Sequence, residues 1–207
     1  MERRPVRVPV QSHVPRLLAA ARAGPPRLGS GDVTDGVARA QALLDDAARR
    51  LRTAGVRDEA LGEYVRPKAV LGIRREPTMR PLGRVWRVGA LLIGSSLETG
   101  GRVWATGTIT RVTDPGRAQF VSVSAETRRA YRAAAVRGRF DAGDTVNHGA
   151  TPIPLDDALV DGDGVLFVRD DEPFVRWSPT SGAAVPLVDY LTDRVTLLVD
   201  PPAGATD

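Results

Sequence analysis

One strand-like phrase occurs twice in this chain, as Gly83-Arg84-Val85-Trp86-Arg87-Val88-Gly89 and again as Gly101-Arg102-Val103-Trp104-Ala105-Thr106-Gly107. Between the copies lies the polar, glycine-rich stretch Gly94-Ser95-Ser96-Leu97-Glu98-Thr99-Gly100-Gly101, a composition suited to reversing the chain. Side chains alternate faces along a strand, and the apolar set meets the core. A turn centred on Leu97 and Glu98 sets Val88 opposite Gly107 and Leu92 opposite Val103. Trp86, Val88, Ala90 and Leu92 then share an inward face with Val103, Ala105, Gly107 and Ile109. The outward face carries Trp104, the threonine row 106, 108 and 110, Arg87 and Gly89, with the Trp104 indole lying diagonally over Gly89. Because an exposed patch of Trp and Leu invites aggregation, that outer face is expected to be covered.

The remaining elements follow from periodicity and punctuation. Val6 to Val10 reads as an edge strand, a helix over Val14 to Ala23 follows Ser12, and Arg27 to Gly31 is a linker. From Thr34 or Asp35, the residues Val37, Ala40, Leu44, Ala47, Ala48 and Leu51 recur at helical spacing, ending with arginines and Gly55. A short amphipathic helical turn is expected over Asp58 to Val65, a strand over Lys68 to Arg74, and a turn-rich bridge over Glu76 to Pro81. Thr113 to Gly116 is a turn, Phe120 to Val123 is extended, and Ser124 caps a helix over Ala125 to Val136 that stops at Gly138. Thr145 to His148 is extended, Leu155 to Val160 is a brief helical turn, and a second hairpin crosses Asp170-Asp171. Pro186 opens a helix whose Leu187, Val188, Tyr190 and Leu191 face inward, before a last strand, Val195 to Val199. This order is an α+β pattern: an N-terminal helical segment (1–66), an α+β domain (67–202) built on the central hairpin of a mostly antiparallel sheet with two further helices packed on it, and a loose tail (203–207).

Composition narrows the chemistry. The chain has no cysteine and only two histidines, His13 and His148, so thiolate sites, disulfides and multi-imidazole metal sites are excluded within it. A net charge of +4 and a pI near 10.2 come almost wholly from arginine, with Lys68 the single lysine. Arginine, alanine, glycine and proline bias of this kind reflects a GC-rich genome. With no zinc-finger spacing and no aromatic RNA-binding run, it argues against a nucleic-acid partner. No secretory leader and no membrane-length apolar run is visible, so the expectation is a cytoplasmic chain. Asp156, Asp157, Asp161 and Asp163 do not make a calcium loop, because the fifth position from Asp161 is Val165. No phosphate-binding glycine motif occurs, and neither metal nor cofactor is expected.

Two regions remain as candidates. His148, with Asp144 (or Asp141) to orient it and Ser124 (or Ser122) as nucleophile, has the residue types for acid–base hydrolysis, provided that they meet. Asn147, Arg176, Trp177 and Ser178 are the candidate ligand-binding residues, a tryptophan between arginine and hydroxyls being suited to one wall of a pocket. Arg129 joins them from the helix whose Arg128 and Arg132 lie one turn apart.

Leu82 to Gly89, Ala105-Thr106-Gly107, Ser124-Ala125-Glu126 with Arg129-Ala130-Tyr131, Thr145-Val146-Asn147 and Val175-Arg176-Trp177-Ser178 together resemble a family of short actinobacterial proteins, some of which carry the label "glutaminase". The resemblance spans Arg66 to Pro202 and implies an amide hydrolase only through that label. Serine glutaminases, which resemble serine β-lactamases, need Ser-x-x-Lys, whereas Lys68 follows Val65. Cysteine amidotransferases need a cysteine. Asparaginase-like enzymes use Thr-Gly-Gly-Thr, whereas Thr99-Gly100-Gly101 is followed by Arg102. The expected function is therefore non-catalytic binding of a small ligand or protein partner. The alternatives are a small amide hydrolase using His148 and, third, an arginine-rich nucleic-acid binder.

Overall fold

The computed structural model of the protein describes residues 32–68, 75–116, 122–177, 183–202 and 204. The expected elements at Val6 to Gly31, nearly all of the strand at Lys68 to Arg74, half of the piece at Phe120 to Val123, Ser178 and most of the tail lie outside those residues.

Helix α1 (Asp32–Thr53) forms where the helical spacing predicts it, and Ala40, Leu44, Ala47 and Leu51 are its buried stripe. Gly55, at φ 67°, takes the left-handed conformation that ends it. Strand β1 (Glu59–Val65) replaces the expected helical turn over Asp58 to Val65. Ala60, Leu61, Tyr64 and Val65 fit one helix face as well as a strand, and so short a segment is decided by its neighbours. Here β1 is sandwiched between two strands, and Ala60, Leu61 and Gly62 are buried in succession.

Strand β2 (Thr78–Val88) takes in most of the expected bridge. It ends in a two-residue turn, Gly89-Ala90, with Gly89 at φ 60°, and returns as β3 (Leu91–Gly94). The phrase around Trp86 therefore pairs with Leu91 to Gly94, and not directly with its repeat. β3 in turn pairs with β4 (Val103–Ala105), Leu92 opposite Trp104, one residue from the expected register. The turn at Gly89-Ala90 leaves the two indoles on opposite faces, as expected, although Leu92, expected beside Trp86, lies on the Trp104 face. Trp86 packs with Val88 and Ile93 toward α1, while Trp104 packs on the opposite face with Leu61, Val85 and Leu92. That second face is covered, Trp104 being only 6% exposed. What lies over Gly89 is not Trp104 but Tyr190, whose hydroxyl accepts from Ala90 N–H at 2.6 Å and donates to Val88 O at 3.2 Å.

After β4 come β5 (Thr108–Arg111), α2 (Val123–Arg137), β6 (Thr145–His148) and β7 (Thr151–Ile153). Ser122 stands at the start of α2 without a side-chain cap, so Ser124 lies inside the helix and is not its N-cap. The seven strands are ordered β5-β6-β1-β2-β3-β4-β7, with β1 and β6 parallel and the other pairs antiparallel. The two ends of this order are pieces of one hairpin. Val103 faces Ile153, Ala105 faces Thr151, Thr108 faces His148 and Arg111 faces Thr145, one register carried across a two-residue break in each strand. The first half of the hairpin joins β3 and the second joins β1, so the sheet curls round into a small barrel. Its inner face holds Leu61, Val85, Leu92 and Trp104, so the tryptophan expected to face outward is the one inside the barrel, and Trp86, expected inward, packs on its outer surface. Outside, α2 covers Ala60, Met79 and Val146, and α1 with the last helix covers Trp86, Val88, Leu91 and Val103.

A single 3₁₀ turn (Asp157–Leu159) leads to β8 (Leu166–Arg169) and β9 (Glu172–Arg176), whose turn places Asp170 and Asp171 at φ 49° and 59°, as the expected hairpin requires. With β10 (Ala184–Pro186) they form a second, three-stranded sheet. Helix α3 (Leu187–Val199) buries Leu187, Tyr190, Leu191 and Val195. The expected last strand, Val195 to Val199, is thus the end of α3, because Val195 completes a helical stripe that overrides the β propensity of Val and Thr. Val188, expected inward, is exposed.

At the hairpin break Gly107 stands opposite Gly149, and a Cβ on Gly107 would lie 2.4 Å from the Gly149 carbonyl group and from His148 O. A Cβ on Gly149 meets nothing within 4 Å, although its φ is +64°. Gly107→Ala should therefore cost about 3 kcal/mol of unfolding free energy, and Gly149→Ala only the backbone term of about 1–2 kcal/mol, both read from urea unfolding curves.

Candidate functional site

The hairpin break also decides where side chains go. Before it, Trp104 belongs to the inner face of the barrel; beyond it, the inner position is Asn147, while its partner Ile109, expected inward, is 54% exposed and Val146 turns outward to α2. Inner and outer walls meet at this point, and a cavity of about 460 Å³ opens between the barrel and α2. Leu61 and Trp104 line it from inside the barrel, and Tyr64, Tyr131 and His148 from outside. Leu82, Ala150 and Pro152 add apolar surface, and the exposed Thr108 and Glu63 complete the wall. Among the described residues that line it, Glu63 is the one acid and there is no lysine or arginine. Its carboxylate is already ion-paired with Arg80.

His148 is 3% exposed and packs its ring against that of Tyr131, centroids 4.4 Å apart and planes tilted by 54°. Tyr131 in turn meets Tyr64 edge-on at 5.2 Å. The imidazole Nε2 is buried without a hydrogen-bond partner. Burial disfavours the charged ring and pulls the His148 pKa below its ordinary 6.5, leaving a neutral imidazole at neutral pH. An unpaired buried polar atom costs about 1–3 kcal/mol, so His148 holds hydrogen-bonding capacity that the fold itself does not use.

Its neighbour Asn147 is the opposite case. The side chain is fully buried; Oδ1 accepts from Arg87 Nε at 3.0 Å and Nη2 at 2.5 Å, and Nδ2 donates to Glu59 Oε2 at 2.7 Å and Ala60 O at 3.2 Å. Both donors and both lone pairs are spent, so Asn147 has nothing left for a ligand. Together with the Arg87–Glu59 pair at 3.6 Å, it forms the polar part of the barrel interior.

The expected hydrolytic trio is not assembled. Asp144 lies at the other end of β6, about 13 Å along the strand from His148, and its carboxylate faces Arg84 at 3.4 Å and Arg57 at 3.9 Å. Ser124 is exposed in the first turn of α2, its hydroxyl 3.0 Å from that of Ser122. His148 bonds to neither. Arg129 grips Glu126 with Nε at 3.0 Å and Nη2 at 2.7 Å, while Arg128 is exposed and Arg132 has its Nε buried without a partner. Arg176 is a latch: its guanidinium donates to Gly162 O and Gly164 O and lies 3.8 Å above the Phe167 ring. Trp177, by contrast, is 54% exposed, so it does not cap the core; it lines a separate hollow on α3. The sequence alone gives no reason to single out Tyr64, Thr108 or Tyr131 as site residues. Their common signal, two tyrosines converging on the one described histidine, needs the tertiary fold to become visible.

No family model, curated protein sequence or solved structure matches the chain, and no helix among the described residues is long and apolar enough to cross a membrane.

Two measurements check these assignments. Asn147→Leu, which strands Arg87 and Glu59 inside the barrel, should lower unfolding free energy by about 2–4 kcal/mol in denaturant titrations. For His148 the folded pKa lies below the unfolded one, so the unfolded chain takes up the proton first. Stability is then fully present above the ordinary value of 6.5, falls as pH drops below it, and levels off beneath the depressed folded pKa. Melting curves between about pH 8 and pH 5 should show wild type losing more stability than His148→Gln; parallel profiles would refute the shift.

Proposed function

We propose that this protein is a non-catalytic binding module for a small, uncharged, largely apolar molecule, held in the cavity between the barrel and α2. The observation that carries the reading is the pairing of an aromatic wall with a neutral, buried imidazole whose Nε2 has no partner among the described residues. Trp104, Tyr64 and Tyr131 offer flat apolar surface, which favours a ring-containing ligand. The absence of any lysine or arginine from the described wall disfavours phosphate or carboxylate groups, and Glu63 is ion-paired with Arg80. A volume of about 460 Å³ falls within the ordinary range for small-molecule sites. A binding role is favoured over amide hydrolysis because, among the described residues, His148 bonds neither a carboxylate that could orient it nor a hydroxyl that it could activate.

The test is a thermal-shift screen with uncharged aromatic and alicyclic metabolites on wild type and on Thr108→Phe. Thr108 is an exposed member of the cavity wall, so a larger side chain there obstructs the cavity without entering the core. A true ligand at a hundred times its Kd should stabilise wild type by about 2.7 kcal/mol and the variant far less. Hits that stabilise both proteins equally, or none from a chemically broad set, would remove the proposal.

A further inference from the structure

The hollow that includes Trp177 is independent of the cavity at His148. Trp177 follows β9, Val185 lies on β10, and Asp189, Tyr190, Asp193 and Arg194 come from successive turns of α3, enclosing about 250 Å³. The other two tryptophans are 4% and 6% exposed, and each carries an arginine over its ring, Arg52 at 5.6 Å from Trp86 and Arg102 at 5.7 Å from Trp104. Trp177 is 54% exposed, and among the described residues no cation lies over it. The cation nearest to hand is already engaged: Arg194 lies 5.9 Å over Tyr190 and 3.5 Å from Asp193. Asp189, beside it, has no ion pair or hydrogen bond among the described residues. A bare indole face thus adjoins an unmatched carboxylate, on a chain whose net charge is +4.

We infer that this hollow is a binding subsite for an alkyl guanidinium group, stacked on Trp177 and hydrogen-bonded to Asp189. The planar guanidinium is weakly hydrated, stacks on aromatic faces, and presents paired donors that match a carboxylate. Arg194 offsets Asp193, so Asp189 is the unpaired charge of the lining and an anion is disfavoured beside it. A purely apolar guest would cover the indole but gain nothing from Asp189. The hollow has room for one side chain, and Val185 offers apolar contact to the methylenes that carry the charged head.

The experiment follows the three indole N–H resonances at low ionic strength during titration with N-acetylargininamide and, separately, with its neutral citrulline counterpart. Trp177→Leu assigns the signal by its disappearance, and unchanged Trp86 and Trp104 signals report that each variant is folded. The Trp177 resonance should shift saturably with the arginine derivative and not with the citrulline one, and Asp189→Asn should weaken binding about five-fold. A glycine-flanked arginine peptide that binds more tightly than the amide would locate the guanidinium on a protein chain, and equal affinity would locate it on a free small molecule; both keep the assignment. No saturable shift, an equal response to citrulline, or undiminished affinity in Asp189→Asn overturns it.

Discussion

Gly107 and Gly149 face each other with no side chain between them, and that close approach of two backbones is the constraint from which the architecture follows. It lets one long hairpin keep its register while changing which of its residues point inward. One half can then pair with β3 and the other with β1, so the sheet meets itself through the continuous hairpin. The same discontinuity separates the inner wall from the outer one locally, and the cavity occupies the resulting space.

A barrel this small has little interior to fill, and the chain divides it between four apolar side chains and one saturated polar network. That saturation gives His148 its meaning. Asn147 and His148 are adjacent on β6 and point to opposite faces, yet one has every hydrogen-bonding position occupied and the other has a buried nitrogen with none. The first is part of the scaffold; the second is left without a partner among the described residues. Arg176 and Trp177 repeat the contrast at the end of β9, the arginine consumed in holding a loop and the indole left open.

Legibility from the sequence followed the range of the interactions involved. The stripe of α1, the Asp170-Asp171 hairpin and the placement of Trp86 and Trp104 on opposite faces rest on local pattern, and each is present. The strand at Glu59 to Val65 and the continuation of α3 to Val199 were misread because each short segment fits two periodicities, and partners distant in the chain select between them. The turn at Gly89-Ala90 escaped notice for a related reason: a two-residue reversal inside an apolar run leaves no polar punctuation, and it is secured by a tyrosine about a hundred residues away. The candidate site was legible only as a histidine worth attention; Asp144 and Ser124, near it in residue type and sequence, are drawn into other partnerships.

The amino-acid sequence by itself determined the α+β class, the opposed tryptophans, the turn positions marked by aspartate and glycine, and the exclusion of thiol and multi-histidine chemistry, since these depend on residue type and short-range alternation. Only the tertiary structure decided that the sheet closes, that Asn147 is consumed while His148 is not, and that Trp177 lies open beside Asp189. Hydrogen-bond capacity is spent on neighbours in space, and for residues as far apart as Glu59, Arg87 and Asn147 that neighbourhood exists only once the chain has folded.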